Sequence, residues 1–119
     1  MVLVDTSIWI DHLRQANSGL LALLDAAEVV THPFVLGELA CGQLRDRADI
    51  LYNLGRLQRS PVASDREVML MIEEHDLMGR GVGYLDMHLL ASVLIGSDLY
   101  LWTNDKRLAA VAGQFSVTH

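Results

Sequence analysis

The sequence predicts an α/β fold: a three-layer α/β/α sandwich around a central parallel sheet. Three observations carry this. Short apolar runs alternate with segments of helical periodicity, a pattern that implies parallel strands joined by helices. Two of the runs, Met1-Val2-Leu3-Val4 and Leu99-Tyr100-Leu101-Trp102, are closely followed by a carboxylate, Asp5 and Asp105. With Pro33 and Pro61 as the only prolines and no linker, repeat or low-complexity stretch, the 119 residues read as one domain, 1–119.

Taken in order, residues 2–5 form a buried strand, and Thr6 or Ser7 caps a helix running to about Arg14. Leu20, Leu21, Leu23, Leu24 and Ala27 fall at helical spacing behind a Ser18 cap. Val29-Val30-Thr31 is a short strand, and Pro33 suits the first turn of a helix through about Gly42. A helix covers about 47–58, Pro61-Val62-Ala63 is a weak edge strand, and Ser64 caps a helix to about Met78. Gly79, Gly81 and Gly83 make a loop before a helix over 85–95. A strand at 99–103, a helix from Asp105 to about Ala112 and a last strand at 115–117 complete the chain. The order of the strands in the sheet is not fixed by these patterns.

Composition narrows the function classes. The hydrophobic share is 51% and mean hydropathy is +0.27, so most elements are expected to be buried. No apolar run approaches the roughly 18 residues of a membrane span, and the first residues lack the basic segment of a secretory signal. A cytoplasmic protein is expected. The single cysteine, Cys41, allows no intrachain disulfide and reads as a small core residue. A net charge of -6 argues against indiscriminate polyanion binding. Two divalent cations would offset much of it. Eight of the nine basic residues are Arg, suited to bidentate phosphate contacts.

Four acids carry the chemistry. Asp5 ends a buried parallel strand, where ligands gather in open α/β sheets; since Thr6 and Ser7 are themselves good caps, capping alone does not account for it. Asp86 precedes Leu89, Leu90, Val93 and Leu94 by three, four, seven and eight residues, placing it on the core-facing stripe of its helix. A carboxylate there needs a partner or a metal, although a first-turn Asp also answers the helix dipole. Glu38 has Phe34, Val35, Cys41 and Gly42 as helical neighbours, which suits a closely approached site and a surface helix equally. Asp105 opens a helix and is an obvious cap, but with Asp5 on a second strand end the two form a site. Thr103 offers a hydroxyl beside them.

If the four converge they form an all-oxygen set suited to Mg²⁺ or Mn²⁺ and to phosphodiester cleavage. Their six pairs, at roughly 4 kcal/mol for charges about 4 Å apart, put strain on the order of 15 kcal/mol into a metal-free site. One or two raised carboxylate pKa values are therefore expected.

With these residues assembled, the chain resembles the PIN-domain family, and among it the VapC-type toxins of bacterial toxin–antitoxin pairs. The resemblance rests on Val4-Asp5-Thr6-Ser7-Ile8-Trp9-Ile10-Asp11, Glu38-Leu39-Ala40-Cys41-Gly42, Asp86-Met87-His88-Leu89-Leu90-Ala91-Ser92 and Leu101-Trp102-Thr103-Asn104-Asp105-Lys106-Arg107-Leu108, in family order. It implies a Mg²⁺- or Mn²⁺-dependent endoribonuclease, a homodimer, and inhibition by a cognate VapB-type antitoxin. Asp5, Glu38, Asp86 and Asp105 match the family's acidic quartet; Thr6 or Ser7 and Thr103 match its accessory hydroxyls. Asn104 departs from the basic residue that many relatives carry there.

Arg80, Lys106 and Arg107 flank the acids in sequence and are candidate phosphate contacts, with ordinary surface charge as the plainer reading. The five histidines are too scattered for a metal set and read as structural or surface. Asp11 reads as a solvated helix residue, and Met69, Met71 and Met78 as core or dimer packing. A haloacid-dehalogenase-type phosphatase would need an acid at position 7, which is Ser7. A receiver-like phosphoacceptor lacks its mid-chain Asp and strand-end Lys. A PIN-like module that binds RNA or an antitoxin without cutting is the non-enzymatic alternative.

Overall fold

Val2, Leu3 and Val4 give no side chain a reason to face water, and all three are buried. They form β1 (Val2–Val4), the axis of the computed structural model, which describes residues 1–119. The elements follow as α1 (Thr6–Arg14), α2 (Ser18–Asp25), β2 (Val29–Thr31), α3 (Pro33–Cys41), α4 (Arg47–Gly55), β3 (Gln58–Arg59), α5 (Asp65–Glu74), α6 (Tyr84–Ile95), β4 (Tyr100–Trp102) and α7 (Lys106–Gln114). The four strands are all parallel, in the order β3-β2-β1-β4. This is the α/β/α architecture expected from the alternation of strand and helix.

The order has a functional consequence. From β1 the chain steps to β2 and then β3 in one direction, and afterwards crosses to β4 on the far side of β1. Right-handed crossovers place helices of the two directions on opposite faces. Between β1 and β4 the topology therefore switches, and a crevice opens at the carboxyl ends of those two strands. Leu3 pairs with Leu101 and Val4 with Trp102, so Asp5 and the residues after Trp102 leave the sheet side by side.

Several expectations are corrected. The edge strand is Gln58–Arg59, not 61–63, because Ser60 N–H closes onto the Thr31 carbonyl and Pro61 cannot donate to a ladder. Helix α4 ends at Gly55 and α5 at Glu74, earlier than their apolar periodicity implied. The final strand reduces to an isolated bridge between Leu101 and Thr118, since α7 continues to Gln114. Asp5, not Thr6 or Ser7, caps α1, and Asn17, not Ser18, caps α2. Cys41 is exposed rather than in the core. Met71 is buried, while Met69 and Met78 are half exposed. Pro33 does open α3, and Ser64 with Glu67 forms a reciprocal capping box on α5.

One hydrophobic core joins the sheet to both helical layers. A polar thread runs through it. His32 is fully buried and caps α3, its Nδ1 accepting from Phe34 N–H at 3.0 Å. The proton therefore sits on Nε2, which donates to Ser92 Oγ at 3.0 Å. Ser92 Oγ also accepts from Ala63 N–H and donates to the His88 carbonyl. Burial, with His88 adding to it, lowers the His32 pKa to about 4, so the ring is neutral throughout the physiological range.

Candidate active site

Asp5 is buried, and its carboxylate is held from two directions. Oδ1 accepts from Ser7 N–H at 2.8 Å, Ile8 N–H at 3.4 Å and Ser7 Oγ at 2.5 Å, while Oδ2 accepts from Thr103 Oγ1 at 2.5 Å. The strand end supplies the position, and the first turn of α1 supplies donors and dipole. Thr103 Oγ1 accepts in turn from Asp105 N–H at 3.0 Å. That hydroxyl therefore ties the two strand-end acids together. Asp105 Oδ1 caps α7, accepting from Arg107 and Leu108 N–H.

Glu38 reaches the crevice from the middle of α3, where Thr6 Oγ1 donates to its Oε1 at 2.9 Å. Asp86 comes from the first turn of α6, a helix whose N-cap, Gly83, offers no side-chain cap. Its pKa is pushed up to about 6, chiefly by burial and further by the charges of Asp5, Glu38 and Asp105. The three other acids are thus close enough for Asp86 to feel each of them. This is the raised carboxylate expected of a metal-free quartet.

No three His, Cys, Asp or Glu side chains close into a tight cage. Asp5, Asp105 and Glu38 each turn an oxygen toward a helix end or a hydroxyl. Such an open, all-oxygen set suits a hard cation that keeps several waters and takes few carboxylates directly, as Mg²⁺ does. It does not suit a closed N/S site.

Around the acids lie residues read otherwise from sequence. Asp11 is not simply solvated: its Oδ2 accepts from Asn104 Nδ2 at 2.7 Å, and Asn104 N–H donates to Ser7 Oγ. Asn104 thereby pins the turn after β4 onto α1, a role hidden in sequence because the two residues are 93 positions apart. Arg80 donates to Gln114 at the far end of α7 from Asp105, about 14 Å along the helix, which removes it from the acids. Lys106 and Arg107 remain exposed beside Asp105. Arg107 lies over Gly81, whose φ of +75° and lack of a side chain admit the close approach. His32 and His88 are structural, as expected, and both are buried.

A parallel sheet with a switch point between β1 and β4, and four acids gathered at it, defines a class. The family model described as PIN domain matches residues 2–114, and the chain belongs to that family. It is also similar to a protein named Ribonuclease VapC32 from two strains of Mycobacterium tuberculosis, CDC 1551 / Oshkosh and ATCC 25618 / H37Rv. In each case 43% of 117 residues are identical, covering 98% of this chain and 94% of the relative.

Proposed function

We propose that this chain is a divalent-metal-dependent endoribonuclease, the toxin of a toxin–antitoxin pair, acting as a single domain over residues 1–119. The observation that carries the reading is the convergence of the four acids at the carboxyl ends of β1 and β4, where Thr103 ties Asp5 to Asp105, Thr6 holds Glu38, and burial with the other three charges raises the pKa of Asp86. The PIN-domain match and the VapC ribonuclease relatives support RNA as substrate and a VapB-type antitoxin as partner. No helix is long and apolar enough to cross a membrane, in keeping with action in the cytoplasm.

Asp5, Glu38, Asp86 and Asp105 would hold the cation, Mg²⁺ or Mn²⁺. When bound, it supplies an activated water and neutralises charge on the phosphodiester. The chain's own residues do the rest. Thr103 and Ser7 fix the Asp5 carboxylate, and Thr6 fixes Glu38, so neither needs to reorganise as substrate arrives. Lys106 and Arg107 meet phosphates flanking the cut, where Arg offers two parallel donors. A second copy of the chain packs against the apolar groove between α5 and α6, where Leu70 and Ile95 are half exposed. The surplus of acids attracts a basic antitoxin tail.

The test is cleavage of total cellular RNA by the purified chain, freed of antitoxin, with Mg²⁺, Mn²⁺ or EDTA, beside Asp5→Asn. Discrete cuts that EDTA and the substitution both abolish are expected. Cutting that survives either one refutes the reading.

A further inference from the structure

The acidic crevice opens onto an apolar groove lined by Pro33, Phe34, Gly37, Glu38, Cys41 and Leu85. Phe34, Gly37, Glu38 and Cys41 are spaced three, four and seven residues apart, so they form one stripe of α3. It is not the stripe that faces the core, because α3 buries Val35 and Leu39 instead. Across the groove, the first turn of α6 leaves Leu85 46% exposed. Glu38 belongs to both the acidic cluster and the groove wall. Whatever fills the groove therefore adjoins whatever the acids hold.

Two details shape the space. The Phe34 ring stands edge-to-face with His32 at 5.2 Å and His88 at 4.7 Å, so its orientation is fixed by the buried polar thread. Gly37 sits inside a helix, where glycine is less favourable than alanine. No left-handed backbone angle requires it, and an added Cβ would meet nothing within 4 Å. The space beside it in the groove is open.

We infer that this groove is a nucleobase subsite, taking the unpaired base of the nucleotide next to the scissile phosphate, with Phe34 and Leu85 as walls and Gly37 as floor. The inference rests on the ribonuclease reading above and deepens it. Single-stranded RNA is recognised by splaying bases out onto aromatic surfaces, and such stacking tolerates a change of base. With a divalent cation offsetting the acids' charge, a base tethered to a phosphate is an occupant whose two halves match the two halves of this site, a flat apolar wall beside a cation seat. The groove spans two turns of α3 on one side and a single turn of α6 on the other, room for a ring rather than for a docked helix with its successive anchors.

Cys41 is the only cysteine and lines the groove, so it reports occupancy without needing turnover. Its alkylation by iodoacetamide would be followed on the full chain in Mg²⁺ with a mixed-sequence single-stranded oligoribonucleotide, with an abasic strand of equal length, and with a basic helical peptide. The base-bearing strand should slow alkylation at least fivefold, and the abasic strand should not. Gly37→Leu, which fills the floor, should abolish that protection and raise KM for RNA about tenfold while Mn²⁺ affinity stays within twofold. Gly37→Leu should melt no lower than the parent, so that its loss of protection is not a loss of fold. Equal protection by the two strands, protection by the peptide alone, or an unchanged KM in Gly37→Leu overturns the subsite. Base-dependent protection in a chain that cuts no RNA would keep the subsite and overturn the nuclease reading instead.

Discussion

Two polar regions lie near the carboxyl ends of the strands, and they are built on opposite terms. In the thread of His32, Ser92, Ala63 and His88, His32 and Ser92 engage their polar side-chain atoms fully, and burial keeps the His32 ring neutral. His88 Nδ1 alone is left without a partner. In the acidic crevice, by contrast, like charges are pressed together and Asp86 bears the strain of the other three. In the thread burial holds the His32 ring neutral; in the crevice hydrogen bonds and packing hold like charges together. The second pattern carries a stability cost, in keeping with the function proposed above.

The contrast is broken most sharply at Asp86. Asp86→Asn should cost activity far more than the roughly 10–100-fold typical of residues that merely support a metal site. The same change should stabilise the metal-free protein by about 1 kcal/mol and so raise its melting temperature, because it relieves repulsion at a partly buried charge. Cleavage assays and thermal melts in EDTA check both halves. A variant that loses both activity and stability would mean that Asp86 is a fold residue.

Thr103→Val comes next. It removes the hydroxyl shared by Asp5 and Asp105 while keeping the shape. We expect kcat to fall about 10–100-fold with KM little changed, since RNA contacts elsewhere are untouched. Steady-state kinetics on a defined RNA decide; a change confined to KM would place Thr103 in binding instead.

Ser92→Ala probes the other region. It strands His32 Nε2 and Ala63 N–H in the interior, at about 1–3 kcal/mol for each group left unsatisfied, while the His88 carbonyl keeps its helical bond. Denaturant unfolding should show a loss of a few kcal/mol, while activity per folded molecule persists. An unaltered midpoint would mean that water replaces the hydroxyl.

The smallest effect separates the regions by pH. Asp86 has its folded pKa raised to about 6, so its contribution grows as pH falls from about 6 toward the ordinary carboxylate value. His32 has its folded pKa lowered to about 4, so its contribution is complete above the ordinary histidine value and is lost as pH falls toward 4. The two slopes oppose, and melts of the metal-free parent should be nearly flat over that window. Asp86→Asn should expose the histidine slope as acid destabilisation. Parallel pH profiles for parent and variant would count against the strained quartet.

Much of this was legible in the chain before any coordinates. Alternating apolar runs and helical stripes determined the layered α/β class. The acids at strand ends and on an apolar helix stripe marked Asp5, Asp86 and Asp105, because a carboxylate placed where burial is expected needs a reason. Element ends were less legible: Gln58–Arg59 carries no apolar signature as a strand, and backbone pairing with Thr31 alone makes it one. Caps were misassigned among adjacent Asp, Asn, Ser and Thr, whose propensities differ too little to choose between them.

What the sequence determined by itself follows from local rules, in which periodicity within a window sets element type and burial. What only the tertiary structure decided depends on residues far apart in the chain. Strand order put β4 beside β1 and so brought Asp105 to Asp5. The same packing tied Asn104 to Asp11, drew Arg80 away from the acids, and left Phe34, Gly37 and Leu85 facing open space beside Glu38. Those contacts depend on which crossover lands where, and no stretch of a few residues carries that information.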